Sequence, residues 1–180
     1  MRSSALFLYR DGGRAVERDV AYQNVLAISR MIADAAIEVT AQAEMSVTYS
    51  SALATRIAEA TYASCDSVTR RRSSKSRDVR TACLCARRAR RHTQSIAGEV
   101  SRVSEARRDA QFATEQIYAF SLDRELSFAV VSSAVDDAIK AAARAERAAR
   151  IARGHVWDTV EAALDAAQVR DQLEGSPVPE

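Results

Sequence analysis

The sequence predicts an all-α protein, an elongated antiparallel bundle of three long helices with close, alanine-rich packing like that of a coiled coil. Three observations support this prediction. The chain of 180 residues contains 36 alanines. Between Arg14 and Glu174 it has no proline and only two glycines, Gly98 and Gly154, whereas a β-rich domain needs frequent turn residues. Apolar residues recur at steps of three and four, the spacing of one helix face.

The first helix is predicted over about 14–68, after the turn signal Asp11-Gly12-Gly13. Residues 1–13 are expected to form a separate N-terminal segment, in which residues 6–8 fold back onto an end of the bundle. Residues 46–51 have low helix propensity, so a break there, which gives four helices, is the alternative. Apolar residues in the helix follow an eleven-residue rhythm, typical of a nearly straight helix, at Val25, Ile28, Ile32, Ala36, Val39, Ala43 and Val47.

The second helix is predicted over about 79–120, after a basic connection at 69–78, and Asp78 is the expected capping residue. The third helix is predicted over about 122–173, after Ser121, and 175–180 form a C-terminal tail. Residues 14–174 thus make one helical-bundle domain.

The third helix contains the clearest periodicity, a heptad pattern in which most positions are alanine. We expect this helix-packing seam to contact partner helices, in the same chain or in another one, because alanine lets a second backbone come close. The seam, which follows Phe128, consists of Val131, Val135, Ala138, Ala142, Ala145, Ala149, Ala152 and Val156.

The basic segment, residues 70–91, contains ten cationic side chains and one acid, Asp78, although the net charge of the chain is only +2. Guanidinium groups suit phosphate and carboxylate, so the segment is a candidate for binding a polyanion or an acidic partner. A solvated helix face is the alternative. No aromatic residue lies between Tyr62 and Phe112, so nucleic acid would be bound through phosphate. The candidates are Arg70, Arg71, Arg72, Lys75, Arg77, Arg80, Arg87, Arg88, Arg90 and Arg91.

Three cysteines flank the basic connection, and Cys65 and Cys83 are equally distant from its centre. This pair, or Cys65 with Cys85, is therefore a candidate disulfide across the hairpin, with three reduced thiols as the alternative. We find no signal peptide and no apolar run long enough to span a membrane, so we expect an intracellular, cytoplasmic protein. Import into an organelle and an extracellular location stay open.

The sequence contains no constellation typical of an enzyme, with no glycine-rich phosphate loop and no metalloprotease or hydrolase motif. We expect no cofactor and no metal site, because His92 and His155 are interpreted as lacking ligand partners at suitable spacing. Trp157 is expected in the core at an end of the bundle, with an exposed anchor for a partner as the alternative.

Together these patterns predict a non-enzymatic structural or adaptor protein that mediates protein–protein assembly as a homo- or hetero-oligomer. The alternative is a helical protein that associates with nucleic acid through the basic segment.

Overall fold

The computed structural model describes residues 4–71, 76–120 and 128–174, and the side chains from Asp19 onward within those ranges except that of Glu174. It contains three helices: α1, Ser4–Arg71; α2, Arg77–Phe120; and α3, Phe128–Glu174. The described residues include no strand. The prediction of an all-α bundle of three long helices is confirmed. At a rise of 1.5 Å per residue, α1 alone is about 100 Å long.

The three helices run alternately up, down and up, and all three contact one another. One core layer joins Ala36, Ala113 and Ala138. A second layer joins Ala58, Ala89 and Ala162. Between these layers the residue numbers rise along α1 and α3 and fall along α2, so consecutive helices are antiparallel.

The N-terminal part of α1 differs from the prediction. We expected a turn at Asp11-Gly12-Gly13 and a helix start near residue 14, but α1 begins at Ser4 and continues through both glycines. The expectation that residues 6–8 fold back is therefore wrong. A glycine in a helix interior costs only about 1 kcal/mol, and a helix that is already formed propagates through such a position.

Residues 46–51 do not interrupt α1, so the four-helix alternative is wrong. Hydroxyl residues occupy core positions of this helix because their side chains bond to its own carbonyl groups. Thr40 Oγ1 donates to the carbonyl of Ile37 at 2.9 Å. Thr61 Oγ1 donates to that of Ile57 at 2.7 Å. With their polar groups satisfied locally, small hydroxyl side chains can face the other helices.

The buried face of α1 follows heptad steps of three and four, with one interruption at residues 50, 54 and 58, so the predicted eleven-residue rhythm holds only in part. Of the seven positions in that rhythm, Ala36, Ala43 and Val47 are buried and Val25, Ile32 and Val39 are half-buried. Ile28, a predicted core residue, is 57% exposed, whereas its neighbour Ser29 is buried. The prediction followed the larger apolar residues, but closely spaced helices accept the smaller ones. From Asp19 onward, the buried residues of α1 are Leu26, Ser29, Ala33, Ala36, Thr40, Ala43, Val47, Ser50, Ala54, Ala58, Thr61, Cys65 and Val68.

The alanine seam of α3 lies against the other two helices. Of its eight residues, Val131, Ala138, Ala145, Ala149 and Ala152 are buried, and Val135, Ala142 and Val156 are half-buried. Ala134, Ala141 and Ala148 form a second buried line beside it. The buried face is wider than a two-stranded heptad seam because α3 contacts α1 and α2 at the same time.

At the start of α2, the capping residue is Ser76 and not Asp78. The backbone N–H of Val79 donates to Ser76 Oγ at 3.2 Å, and Asp78 lies in the first turn. Of the predicted connection 69–78, residues 69–71 belong to α1 and 77–78 to α2, while Arg72 and Lys75 lie outside the described residues. Ser121 and the tail 175–180 also lie outside them.

Candidate functional site

The bundle places small side chains inside and many large hydrophobic side chains outside. Most buried core residues are alanine, and the largest fully buried apolar side chains are Ile96 and Ile117. Soluble proteins expose single hydrophobic side chains routinely, but an aligned set indicates a contact surface.

Four large hydrophobic residues form one line along the outside of α3, and we call them the outer row. Phe128, Ile139, Trp157 and Leu164 are 63%, 49%, 73% and 65% exposed. The steps between them are 11, 18 and 7 residues, about three, five and two turns of a straight helix. The buried face of α3 follows heptads, so the row turns gradually around the bundle by about 20° per heptad. Trp157 was expected in the core, and that expectation is wrong. The spacing of two helical turns between Trp157 and Leu164 was the sequence pattern that could have indicated this exposed position.

Charged residues of both signs lie within the outer row. Glu146 follows Ile139 by seven residues, and Arg150 precedes Trp157 by seven, so both lie on the same line of α3. Both side chains are exposed. Exposed Arg153 follows Glu146 by seven residues, so the central part of the line contains one acid and two bases between Ile139 and Trp157. Within it, the pair of Glu146 and Arg150 is complementary to itself when its order is reversed.

A second exposed set lies on α1. Val20, Met31, Met45 and Tyr49 are 55%, 71%, 66% and 71% exposed and share one side of that helix. This set has no tryptophan and lacks the alternation of charge found on α3. It provides a useful comparison, because it has similar exposure on a different face of the same bundle.

The basic segment presents several arginines on one side of α2. Arg77, Arg80, Arg87 and Arg91 are exposed and follow one another by 3, 7 and 4 residues, so they form a ridge on a single helix face. Arg88 instead binds acidic groups on α3, with Nη2 2.8 Å from Glu161 Oε2. Arg70, Arg71 and Arg90 are exposed as well.

The structure brings two of the three cysteines together. Cys65 Sγ and Cys83 Sγ lie 2.8 Å apart, and both residues are free thiols, as is the buried Cys85. Burial, followed by the contact with Cys83, raises the pKa of the Cys65 thiol to about 11. The predicted disulfide between Cys65 and Cys83 stays a prediction, and the alternative partner Cys85 does not make this contact.

Two histidines and one aspartate converge in the groove between α2 and α3, and we call them the histidine cluster. His92 Nδ1 lies 3.2 Å from His155 Nδ1. Asp158 Oδ2 lies 3.3 Å from His92 Nδ1 and 3.5 Å from His155 Nδ1. Burial lowers the pKa of His92, and the negative charge of Asp158 opposes that shift.

This cluster was not predicted from the sequence. The histidines were interpreted as lacking acidic partners, although Asp158 follows His155 by three residues and so lies on the same face of α3. His92 is distant in sequence, and its register against His155 follows from the antiparallel pairing of α2 with α3. The spacing of His155 and Asp158 could have been recognised in the sequence. The contact between the two histidines could not, because it depends on the register between α2 and α3.

Polar ties on the bundle surface join all three helices. Tyr118 Oη donates to both carboxylate oxygens of Asp34, at 3.0 and 3.1 Å, and this hydrogen bond raises the pKa of Tyr118. Arg107 on α2 pairs with Glu44 on α1. Arg144 on α3 pairs with Asp109 on α2 at 2.6 Å. These ties are compatible with the register that the buried layers set, and exposed pairs of this kind contribute only about 0–1 kcal/mol each.

No protein-family model matches the chain, and neither the curated proteins nor the solved structures include one that matches it. Within the described ranges, no helix has the length and hydrophobicity needed to cross a membrane.

Proposed function

We propose that this protein is a non-enzymatic structural protein whose helical bundle assembles with a second copy of itself through the outer row of α3. The observation that supports this most strongly is the line of Phe128, Ile139, Trp157 and Leu164, exposed on a helix whose buried face is mostly alanine. These large side chains do not contribute to the core of the single chain. Tryptophan is among the residues that contribute most to protein–protein binding.

The order of residues in the row favours an antiparallel, twofold arrangement of two copies. If the two α3 helices cross at the level of Ala148, Ile139 of each copy lies level with Trp157 of the other. Glu146 then lies level with Arg150 of the other copy. A twofold interface uses the same patch on both chains and must be complementary to itself, which this order satisfies. The central stretch from Ile139 to Trp157 is about 27 Å long.

Sedimentation velocity of the full chain tests this proposal. At about 100 µM we expect a dimer, and we expect the I139A/W157A double variant to sediment as a monomer. Tyr49→Ala is the matched control, because it removes an aromatic side chain of similar exposure from α1, and it should leave the dimer intact. A monomeric parent protein, or a dimer that survives I139A/W157A, would contradict the proposal.

A second candidate function rests on the ridge of Arg77, Arg80, Arg87 and Arg91. Such a ridge can bind the phosphates of nucleic acid without reading its sequence. The variant in which these four become glutamine should lose salt-sensitive binding to duplex DNA, measured by fluorescence anisotropy between about 50 and 200 mM salt.

A control for this experiment removes the same number of charges elsewhere on the chain. Four other exposed arginines become glutamine in it, Arg102, Arg108, Arg147 and Arg153. Equal loss of binding in both variants would mean that overall charge, and not the ridge, attracts DNA. Absence of binding by the parent protein would remove this candidate.

A further inference from the structure

We propose that His92, His155 and Asp158 form a binding site for one divalent transition-metal ion, with Zn²⁺ as the best match, that joins α2 to α3. The three side chains each offer one ligand atom, and these atoms all lie within 4.8 Å of one another. No other group of three such residues in the described part of the chain comes this close.

The dimensions of the cluster fit a tetrahedral ion. The three distances between ligand atoms are 3.2, 3.3 and 3.5 Å. A tetrahedral ion with bonds of about 2.0–2.1 Å separates its ligands by about 3.3–3.4 Å. A single ion can therefore contact His92 Nδ1, His155 Nδ1 and Asp158 Oδ2 with only small side-chain adjustments.

The electrostatics of the cluster also favour a cation. The carboxylate of Asp158 only accepts hydrogen bonds when it is ionised, and a neutral imidazole has one nitrogen without a proton. When both rings have their proton on Nε2, three atoms with lone pairs lie within 3.5 Å of one another. A proton on one Nδ1 removes only part of this repulsion, whereas a metal ion binds all three atoms at once.

The ligand types select the class of metal. Imidazole nitrogen suits Zn²⁺, Cu²⁺ and Ni²⁺, whereas Mg²⁺ and Ca²⁺ prefer sites made only of oxygen. Three protein ligands leave a fourth position for water or another ligand. Arg88 is the cation that opposes metal binding, since it acts on His92, but it pairs with Glu161 at 2.8 Å and lies 3.9 Å from Asp165.

The helices hold the three ligands in place before any ion binds. His155 and Asp158 are three residues apart on α3, and the closely packed layer of Ala58, Ala89 and Ala162 lies near them in the bundle. The His92 and His155 side chains are only 23% and 27% exposed. His155 points away from Trp157, because residues two apart on a helix differ in direction by about 200°. Metal binding is therefore independent of assembly through the outer row.

Titration of the tag-free, chelator-treated protein with ZnCl₂ and CoCl₂ tests this inference. We expect one Zn²⁺ per chain by calorimetry, and visible absorption bands of tetrahedral Co²⁺. His92→Gln, His155→Gln and Asp158→Asn should each weaken Zn²⁺ binding by roughly 100-fold. Asp171→Asn is the matched control, because it removes an exposed carboxylate from the same helix that pairs with Arg170 and not with the cluster or Arg88, and it should bind Zn²⁺ as the parent does.

Nitrogen NMR of the two histidines provides a second measurement that needs no variant. Addition of Zn²⁺ to the parent protein should shift the Nδ1 resonances of both His92 and His155. Circular dichroism of the variants shows whether they keep their helices. No stoichiometric binding, binding that Asp158→Asn leaves unchanged, or a shift at only one of the two histidines would overturn the site.

Discussion

The inner and outer faces of α3 contain opposite kinds of side chain. The inner face consists mainly of buried alanines such as Ala138, Ala145 and Ala152, whereas the outer row contains Trp157 and Leu164, both mostly exposed. The difference shows that the fold and the surface of this helix meet separate requirements. Small inner residues let three backbones come close, and the large outer residues are not needed for that packing.

The inner face stabilises the bundle by close contact more than by the area of each side chain. An alanine buries much less apolar surface than a leucine, whose full burial contributes about 1.5–3 kcal/mol. The three long helices offset this with many closely packed layers, in which dispersion contacts add up. Such an interior should tolerate added atoms poorly, and the outer face should tolerate them well.

The largest predicted effect on stability comes from enlarging a buried side chain on the inner face of α3. Ala145→Leu adds three carbon atoms at a fully buried position in the middle of the bundle, and it should lower the free energy of unfolding by about 3 kcal/mol. Ala143→Leu adds the same atoms at an exposed position two residues away and should change it by less than about 0.5 kcal/mol. Urea unfolding followed by circular dichroism measures both. Similar values for the two variants would remove the distinction between the faces.

A smaller effect is predicted at the hairpin end, where a disulfide would join the inner faces of α1 and α2. Oxidation should join Cys65 to Cys83 and stabilise the bundle by about 2–3 kcal/mol, because it closes a short loop between α1 and α2. Thermal unfolding with and without reductant, with intact mass to count the bond, measures this. Cys85→Ser should keep the effect and Cys83→Ser should abolish it. A bond that forms equally well in Cys83→Ser would contradict the pairing.

The pKa of Cys65 adds a pH dependence to the same region. Folding raises the pKa of this thiol from 9.0 to about 11, so the unfolded chain releases the proton first. Stability from this group is therefore complete below pH 9 and is lost as the pH rises towards 11. Unfolding free energies measured across that window should fall in the reduced parent protein and fall less in Cys65→Ser. An equal decline in both proteins would assign the effect to other groups.

The smallest predicted effect on stability concerns two exposed glycines on the outside of the bundle, Gly98 and Gly154. A Cβ atom added at Gly98 or Gly154 would meet nothing within 4 Å. Gly98→Ala and Gly154→Ala should therefore each raise the free energy of unfolding by about 0.5–1 kcal/mol, because alanine restricts the unfolded chain. Thermal unfolding measures the gain, and a loss of stability would mean that these positions are not open.

The sequence predicted the helices better than their faces. The absence of proline and the repeating steps of three and four were sufficient for three helices, because those signals are local. On α1, Ala36, Ala43 and Val47 were predicted correctly as buried. Ile28 was chosen in place of the buried Ser29, since isoleucine is more hydrophobic than serine but too large for close helix packing. Trp157 was misplaced for the same reason. The contact of His92 with His155 depends on the register between helices, which local spacing does not determine.

Assembly through the outer row can be tested most directly by exchanging its charges. In the antiparallel dimer, Glu146→Arg places two arginines level with each other on both sides of the crossing point at Ala148, and Arg150→Glu places two glutamates there. Each single variant should dimerise roughly tenfold more weakly. Mixing the two variants should restore a dimer that contains one chain of each, because both pairs are then opposite in charge. Sedimentation of the mixture as monomers, or undisturbed dimers of each variant alone, would contradict the account.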